Sequence, residues 1–524
     1  MCCMLSASAY DFVVDGIYYN INGHELTVTK DKSTYSSYSG DVVIPDTVVY
    51  DGVTYTVTAI ESLAFRHCYQ MPTITLPNTL KTICDSAFYI CSGLVSFYVP
   101  KSVTYIGHDI LGGADGLQCL VVDPENPYYD SRDNCNAIIE TSTDRLIQGS
   151  GPTVVPNTVK IIGQQAFDYC RAMKNIVLPN SVKVIESRAF FLADFDSFTF
   201  PDSLERIERY AFLTCNGMWG QRITLPNTLK YVAPFAFANC NLKGITMNYV
   251  QGSTYYTLAN SLIEAATRTI VVGTSNSYIT ADMNIERIGE AAFMGCVDRH
   301  DLCFGRYVTE VGPYAFYNNY NLYDLYIPER VTSVGAYAFY KCGGYSLTVP
   351  NNLKEIGTGA FSACSKLTTV VISDSVQSIG RYAFMDCNKL QSVTIGSGIQ
   401  EIGEQAFDNC KALTSITCKA TVPPVMASEN CFSATAYENA TLQVPSASLS
   451  AYKDAFGWQM FYNAYGNTPG DVNGDGAFSI SDIGSLIDLL LAGGTVSVTA
   501  DVNGDGQLTL ADVVVLIDIL LGME

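Results

Sequence analysis

Two twelve-residue stretches near the end of the chain gather oxygen donors at a spacing that could hold a divalent cation. They are D-V-N-G-D-G-A-F-S-I-S-D from Asp471 and D-V-N-G-D-G-Q-L-T-L-A-D from Asp501. Positions 1, 3, 5, 9 and 12 carry Asp471, Asn473, Asp475, Ser479 and Asp482 in the first loop. The second loop has Asp501, Asn503, Asp505, Thr509 and Asp512 there. Gly476 and Gly506 fall at position 6, where such a loop turns sharply, and the carbonyls of Ala477 and Gln507 complete each set at position 7. The three carboxylates of a loop repel one another until a cation joins them. The pattern predicts two calcium ions, since magnesium seldom takes a cage made wholly of protein oxygens.

No other constellation carries chemistry. The four histidines, His24, His67, His108 and His300, are scattered and sit in no nucleophile or metalloprotease motif. Carboxylate pairs could be chosen anywhere among 51 acids and carry no signal. No catalytic residue and no other cofactor is assigned, and the expectation is a chain that is not an enzyme. Net charge is −21, which argues against a nucleic-acid partner, because phosphates need a basic face. Residues 468–524 hold nine acids and no Lys or Arg, a local excess that again points to a cation site. No run of 18 apolar residues exists to span a membrane. Residues 1–9 end in Ala7-Ser8-Ala9 and read as the remnant of a secretory signal; a short disordered terminus is the plainer alternative.

The elements that carry these loops belong to a chain built largely of one repeat. Ala-Phe recurs twelve times between Ala64 and Phe407, mostly at steps of 22, 23 or 25 residues. A clean unit, SIGRYAFMDCNKLQSVTIGSGIQ, starts at Ser378. Leu390, Val393 and Ile395 alternate with polar residues, the pattern of a strand with one buried face. Pro77, Pro179 and Pro328 end such segments, where a missing ladder donor is tolerated. One copy cannot enclose a core; stacked copies bury Phe, Leu and Ile in rows. The period fits a β-rich leucine-rich-repeat solenoid, and the compact Ala-Phe turn disfavours the second option, a parallel β-helix. Up to about Phe461 the chain closely resembles the BspA-like leucine-rich-repeat proteins of bacteria. The resemblance implies a secreted or cell-surface protein of adhesion, binding host matrix proteins, other bacteria or epithelial cells.

The expected layout is a β N-terminal cap at 10–54, the solenoid at 55–432, and a C-terminal cap at 433–464 with a short helix around Ser448–Phe456. Asp15-Gly16 and Asp51-Gly52 mark hairpins in the first cap. Two steps of 56 residues contain insertions, about 112–160 and 241–288. NAIIETSTDRLIQG and NSLIEAATRTIVVG within them resemble each other and read as hairpins projecting from the stack. Residues 465–470 read as a linker.

Of 18 cysteines, ten stand three residues after the repeat phenylalanine. Ala193 and Asn319 take the same position, so the expectation is a row of small buried thiols; stacked disulfides are the alternative. Tyr314, Tyr317, Tyr320, Tyr323 and Tyr326 recur at every third residue. They are candidates for a ligand surface, with repeat packing as the other explanation.

An apolar helix follows each acidic loop, from Ile483 and from Val513, and no credible helix precedes either. This tandem, starting 30 residues apart, resembles a type I dockerin over 471–524. The resemblance implies a calcium-dependent plug for a cohesin domain, with loop positions 10 and 11 touching the partner. Here those are Ile480-Ser481 and Leu510-Ala511, so the docking face is expected to be unusually apolar. The functional expectation is a secreted recognition protein. Its solenoid binds a host or bacterial surface protein or a glycan, and its tail docks to a cohesin-like partner. The alternatives are a subunit of a carbohydrate-degrading assembly, or a structural surface component whose tail is only folded by calcium.

Overall fold

Each repeat turns its alternating segment into a four-residue strand with one face inside. In Ser392–Ile395, Val393 and Ile395 are buried while Ser392 and Thr394 face out. A two-residue strand follows, Glu401–Ile402, with Ile402 buried. Both pair in parallel with their counterparts one coil on, Ser392 with Ser415 and Glu401 with Val425. The Ala-Phe turn adds a third ladder: Phe361 N donates to Ala383 O at 2.8 Å, and Phe384 N to Ala406 O at 2.8 Å. The computed structural model describes residues 10–31, 36–301, 304–467, 470–473, 479–492, 499–503 and 507–521. They form two units, Met1–Tyr278 with Ala292–Cys296, and Ile279–Ala291 with Val297–Glu524. Each unit carries β-solenoid coils of this kind, as the repeat predicts.

Phenylalanine rows fill the coils. In the first unit Phe167, Phe190, Phe212 and Phe237 stack in sequence, each 5.1 Å from the next. In the second, Phe339 and Phe361 lie 5.3 Å apart, and Phe384 and Phe407 5.1 Å. Burying one such ring is worth about 2–3 kcal/mol. Close coil approach explains the glycine that many of the repeats place before the turn, although others carry Glu, Cys or Ala there. A Cβ on Gly380 would stand 2.7 Å from Ile356 O and 2.8 Å from the Gly357 carbonyl carbon.

The cysteine row is buried and forms no disulfide among the described residues. Cys364, Cys387 and Cys410 donate Sγ–H to the carbonyls of Phe339, Phe361 and Phe384 at 3.2, 3.3 and 3.2 Å. The position takes a small buried group: Ala193 fills it with no donor, and Asn319 fills it with Nδ2 donating to Phe316 O of its own coil at 2.8 Å. All cysteines among the described residues are free, and Cys119 alone of them is exposed.

The first cap is β as expected. Asp15 and Gly16 (φ 49° and 78°) turn one hairpin, and Asp51 and Gly52 (φ 48° and 72°) another. Strand Val53–Ile60 then pairs with Thr82–Ile83, which joins cap to coils. The insertions form the two expected hairpins but seat them differently. Their hairpins do not project: Arg145–Gly149 pairs antiparallel with Ala137–Glu140 and parallel with Ile161–Ile162. Ile138, Ile139 and Leu146 are fully buried, and so are Leu262, Ile263 and Ile270 in the second hairpin. A glycine seats each hairpin on a repeat ring. A Cβ on Gly149 would meet Phe167, and one on Gly273 would meet Phe293, each at 2.1 Å. The spans 112–160 and 241–288 also still contain ordinary coil strands, Cys119–Val122 and Gly244–Met247.

At the other end the ring row runs one coil past Phe407, to Phe432 at 4.9 Å. Helix α1 (Ala434–Asn439) was not expected; α2 (Leu449–Asp454) is the helix foreseen there. The segment read as a linker starts as a strand, because Asn463–Asn467 pairs in parallel with Thr441–Pro445.

Candidate functional site

Each acidic loop leads into a helix, α3 (Ile480–Leu491) or α4 (Leu510–Leu521). Ser479 and Asp482 form a capping box at the start of α3, two side chains satisfying helix N–H groups that have no partner within the helix. Asp482 does two jobs. Its Oδ2 accepts from Ser479 N at 2.9 Å, and its Oδ1 reaches back to accept from Asn473 N at 3.1 Å, tying the end of the loop to its beginning. The second loop repeats the geometry: Asp512 Oδ2 accepts from Thr509 N at 2.8 Å and Oδ1 from Asn503 N at 3.3 Å. Gly470 N donates to Thr499 O at 2.8 Å, so the two loop entrances are joined.

The residues fit a bound cation. Asp471, Asp482 and Asp512 are all but fully buried, and the tail contains no Lys or Arg to balance them. Buried ionised carboxylates are costly unless paired or bound to metal. A carboxylate that accepts two N–H bonds still has lone pairs for an ion. Calcium would supply the missing charge through Asp471, Asn473, Ser479 and Asp482 in one loop and Asp501, Asn503, Gln507, Thr509 and Asp512 in the other. Asp475, Ala477 and Asp505, also assigned as ligands, lie outside the described residues.

Helices α3 and α4 meet across a small core of Leu486, Ala500, Val513 and Leu516. Facing away from it, each helix shows an apolar stripe. On α3 the stripe is Ile480, Ile487 and Leu491, with Gly484 opening onto empty space. On α4 it is Leu510, Val514, Ile517 and Leu521. The spacing i, i+4, i+7, i+11 keeps each set on one face. Every member of one stripe stands thirty residues from its counterpart in the other. Of the four expected docking residues, Ile480 and Leu510 head these stripes. Ala511 is exposed, but the Ser481 hydroxyl is engaged within the loop by Asn473 Nδ2 at 2.8 Å and Ser479 Oγ at 2.6 Å.

The five tyrosines do not share one surface. Tyr314 stacks on Tyr337 at 5.4 Å and Tyr317 on Tyr340 at 4.6 Å, a tile of four rings beside the Ala-Phe turn. Tyr323 stacks on His300 at 5.1 Å. Tyr320 is exposed, and Tyr326 stands outward on the strand Leu325–Tyr326.

A carboxyl pair was missed. Asp109 and Asp168 come from coils on either side of the first insertion, and both are almost completely buried. Burial, and then the neighbouring Asp168 charge, hold the Asp109 carboxyl far above the usual range, so it keeps its proton and shares it with Asp168. Arg188 Nη2 lies 3.9 Å from Asp168 Oδ2, and the Tyr89 phenol is held up by burial and these acids. Asp109 sits two residues before Leu111 and Asp168 one after Phe167, repeat positions that are half-buried at Tyr314 and Tyr317, so nothing in the sequence marked this pair.

The type I dockerin domain family matches residues 469–521, and domains of that family bind calcium and partner cohesins. No curated protein matches the chain. Among solved structures, a leucine rich cell surface protein from Faecalibacterium prausnitzii is 20% identical, with 78% of this chain and 95% of that one covered and a TM-score of 0.42. A leucine-rich repeat protein from Bacteroides ovatus is 22% identical, with 85% and 97% covered and a TM-score of 0.39. Among the described residues no helix is long and apolar enough to cross a membrane. The BspA type leucine rich repeat region matches in six copies over residues 52–127, 152–265, 269–345 and 332–460. With the Ala-Phe ladder, the ring row and the thiol row of the coils, this places the chain in the BspA-type leucine-rich-repeat family.

Proposed function

We propose that this is a non-enzymatic cell-surface recognition protein. Its solenoid binds a surface ligand, and its tail, folded around two calcium ions, holds it on a cohesin-bearing partner. The observation that carries the reading is the duplicated apolar stripe, Ile480 to Leu491 and Leu510 to Leu521, displayed on helices that the acidic loops start. Large exposed apolar faces are uncommon on chains that meet no partner. The stripes lie among Asp488 and Asp518 with no basic residue nearby in the tail. The matching cohesin surface is therefore apolar with a basic rim.

The test is binding of the full chain to an immobilised cohesin module in calcium and in chelator. Capture in calcium and release on chelation are expected. Ile480→Asp with Leu510→Asp should weaken capture at least tenfold while the calcium isotherm stays unchanged. Capture that survives chelation, or that ignores both substitutions, would overturn the docking reading and leave a tail that calcium merely folds. Hydrolysis of a glycan or peptide by the purified chain would overturn the non-enzymatic reading.

A further inference from the structure

The second unit presents a seven-stranded parallel sheet whose outward residues are exposed or half-buried, with Tyr465 on its last strand close to Asp471 of the tail. Its strands run Leu325–Tyr326, Ser346–Val349, Thr369–Ile372, Ser392–Ile395, Ser415–Cys418, Thr441–Pro445 and Asn463–Asn467. The register sets outward residues in two columns. One column is Ser346, Thr369, Ser392, Ser415 and Thr441. The other is Tyr326, Thr348, Val371, Thr394 and Thr417. None of the seven strands contains a charged residue, in a chain of net charge −21. The hydroxyls of Ser346, Thr348, Thr369, Ser392 and Thr394 have no protein partner among the described residues. At one end the face deepens into a groove of about 340 Å³ whose lining includes Tyr326, Ser346 and Thr348 and two carboxylates, Asp324 and Glu329. Tyr326 and Tyr345, the residue directly before Ser346, are 65% and 57% exposed.

Three ligand classes can be weighed against that chemistry. An anionic polymer needs cations, and the face has none. A protein partner is usually gripped by buried aromatic and Arg anchors at the centre of its patch. Here the exposed Tyr326 stands at one end of the column and the half-buried Tyr465 at the other, and the centre is small hydroxyls with Val371. A neutral, hydroxyl-rich polymer matches both parts: Tyr rings to lie under sugar faces, hydroxyls and the Asp324 carboxylate to exchange hydrogen bonds with sugar hydroxyls. Neighbouring strands repeat about every 4.8 Å. An extended pyranose chain advances by a similar distance per sugar, so a chain laid across the strands meets the same pair of columns at each step.

We infer that this sheet face binds an unbranched neutral polysaccharide lying across the strands, with Tyr326 and Tyr345 forming its aromatic end. The inference rests on the reading of the solenoid as a recognition element and names its ligand class. The test is migration of the full chain in native gels that contain hydroxyethylcellulose, xylan or galactomannan, with polygalacturonate as the acidic control. Retardation is expected with at least one neutral polymer and not with polygalacturonate. Tyr326→Ala with Tyr345→Ala should weaken binding at least tenfold, and so should Thr394→Lys, an outward position that a lysine can occupy without refolding the coil. Tyr326→Phe with Tyr345→Phe should retain it, and so should Tyr314→Ala beside the turn. Equal retardation of the double alanine variant, or no retardation by any neutral polymer, overturns the inference. A purified matrix protein that binds the full chain and is lost with Thr394→Lys would overturn the glycan assignment but keep the recognition reading. Failure of every glycan and every surface protein to bind would overturn both.

Discussion

Chelation should unfold the last 54 residues while the coils stay intact. Among its described residues the tail's apolar core buries only Leu486, Ala500, Val513 and Leu516 well, and Ala500 adds little area. The three larger side chains contribute roughly 5–9 kcal/mol together. That is a small core for two helices, and bound cations add to the folded state alone: an ion present at a thousandfold its dissociation constant adds about 4 kcal/mol, so two sites add about 8. Asp482→Ala should remove one ion and also the capping carboxylate, a combined loss of about 5 kcal/mol. Ser479→Ala removes the cap with only one neutral ligand and should cost about 1 kcal/mol.

The assay is the far-ultraviolet helical signal of the full chain through a calcium titration. Helices α3 and α4 have 12 residues each and α1 and α2 only six, so most of the helical signal comes from the tail. Calorimetry should count two ions in the native chain and one in Asp482→Ala. A helical signal that chelator leaves unchanged would refute the reasoning. So would a stoichiometry of two in the variant, since Asp482 would then be a cap and not a ligand.

Three further outcomes follow from the coils. Phe361→Ala, at a fully buried ring between two stacked neighbours, should cost about 3–5 kcal/mol, read as faster hydrogen exchange in its own and the adjoining coils. Asp109→Asn should stabilise the first unit increasingly with pH. The native carboxyl holds its proton more tightly than the unfolded one, so native stability is full below the ordinary Asp range and falls as pH rises toward the raised folded value. The fall approaches about 1.4 kcal/mol per pH unit, and urea midpoints of variant and native chain that run parallel from pH 5 to 8 would refute it. An alkylating agent should label Cys119 in the native protein and the coil row only in denaturant, because burial pushes thiols such as Cys240 up to about 12 and keeps them protonated. Mass spectrometry of the labelled peptides reads this directly.

The repeat was legible because each of its letters has a separate physical cause. Gly380 permits coil approach, Phe384 fills the row, Cys387 donates to a carbonyl, and Val393 with Ile395 face inward. The insertions were misread for the opposite reason. Ile138 and Ile139 are adjacent and both buried, so alternation could not show that the hairpin has joined the coil core. Phe432 escaped because its turn reads Cys-Phe in place of Ala-Phe, although the ring stacks like the others.

The tyrosines show how the choice of period decides a surface. Residues three apart are neighbours on a helix, but a solenoid coil turns corners within that distance. Tyr314 and Tyr326 therefore end on different sides. The true partners of Tyr314 and Tyr317 are Tyr337 and Tyr340, one coil later at a step of 23. The same register joins Ser346 to Thr369 and Ser392, residues with no local pattern to mark them. Candidate ligand surfaces in such a chain are therefore found by aligning coils and reading down the columns. In the tail the relevant step is thirty residues, and it pairs Ile480 with Leu510 and Ile487 with Ile517. Ser481 fails that comparison: its counterpart is Ala511, and its hydroxyl is already held inside the loop. The docking chemistry that both helices share is apolar, and it begins at Ile480 and Leu510.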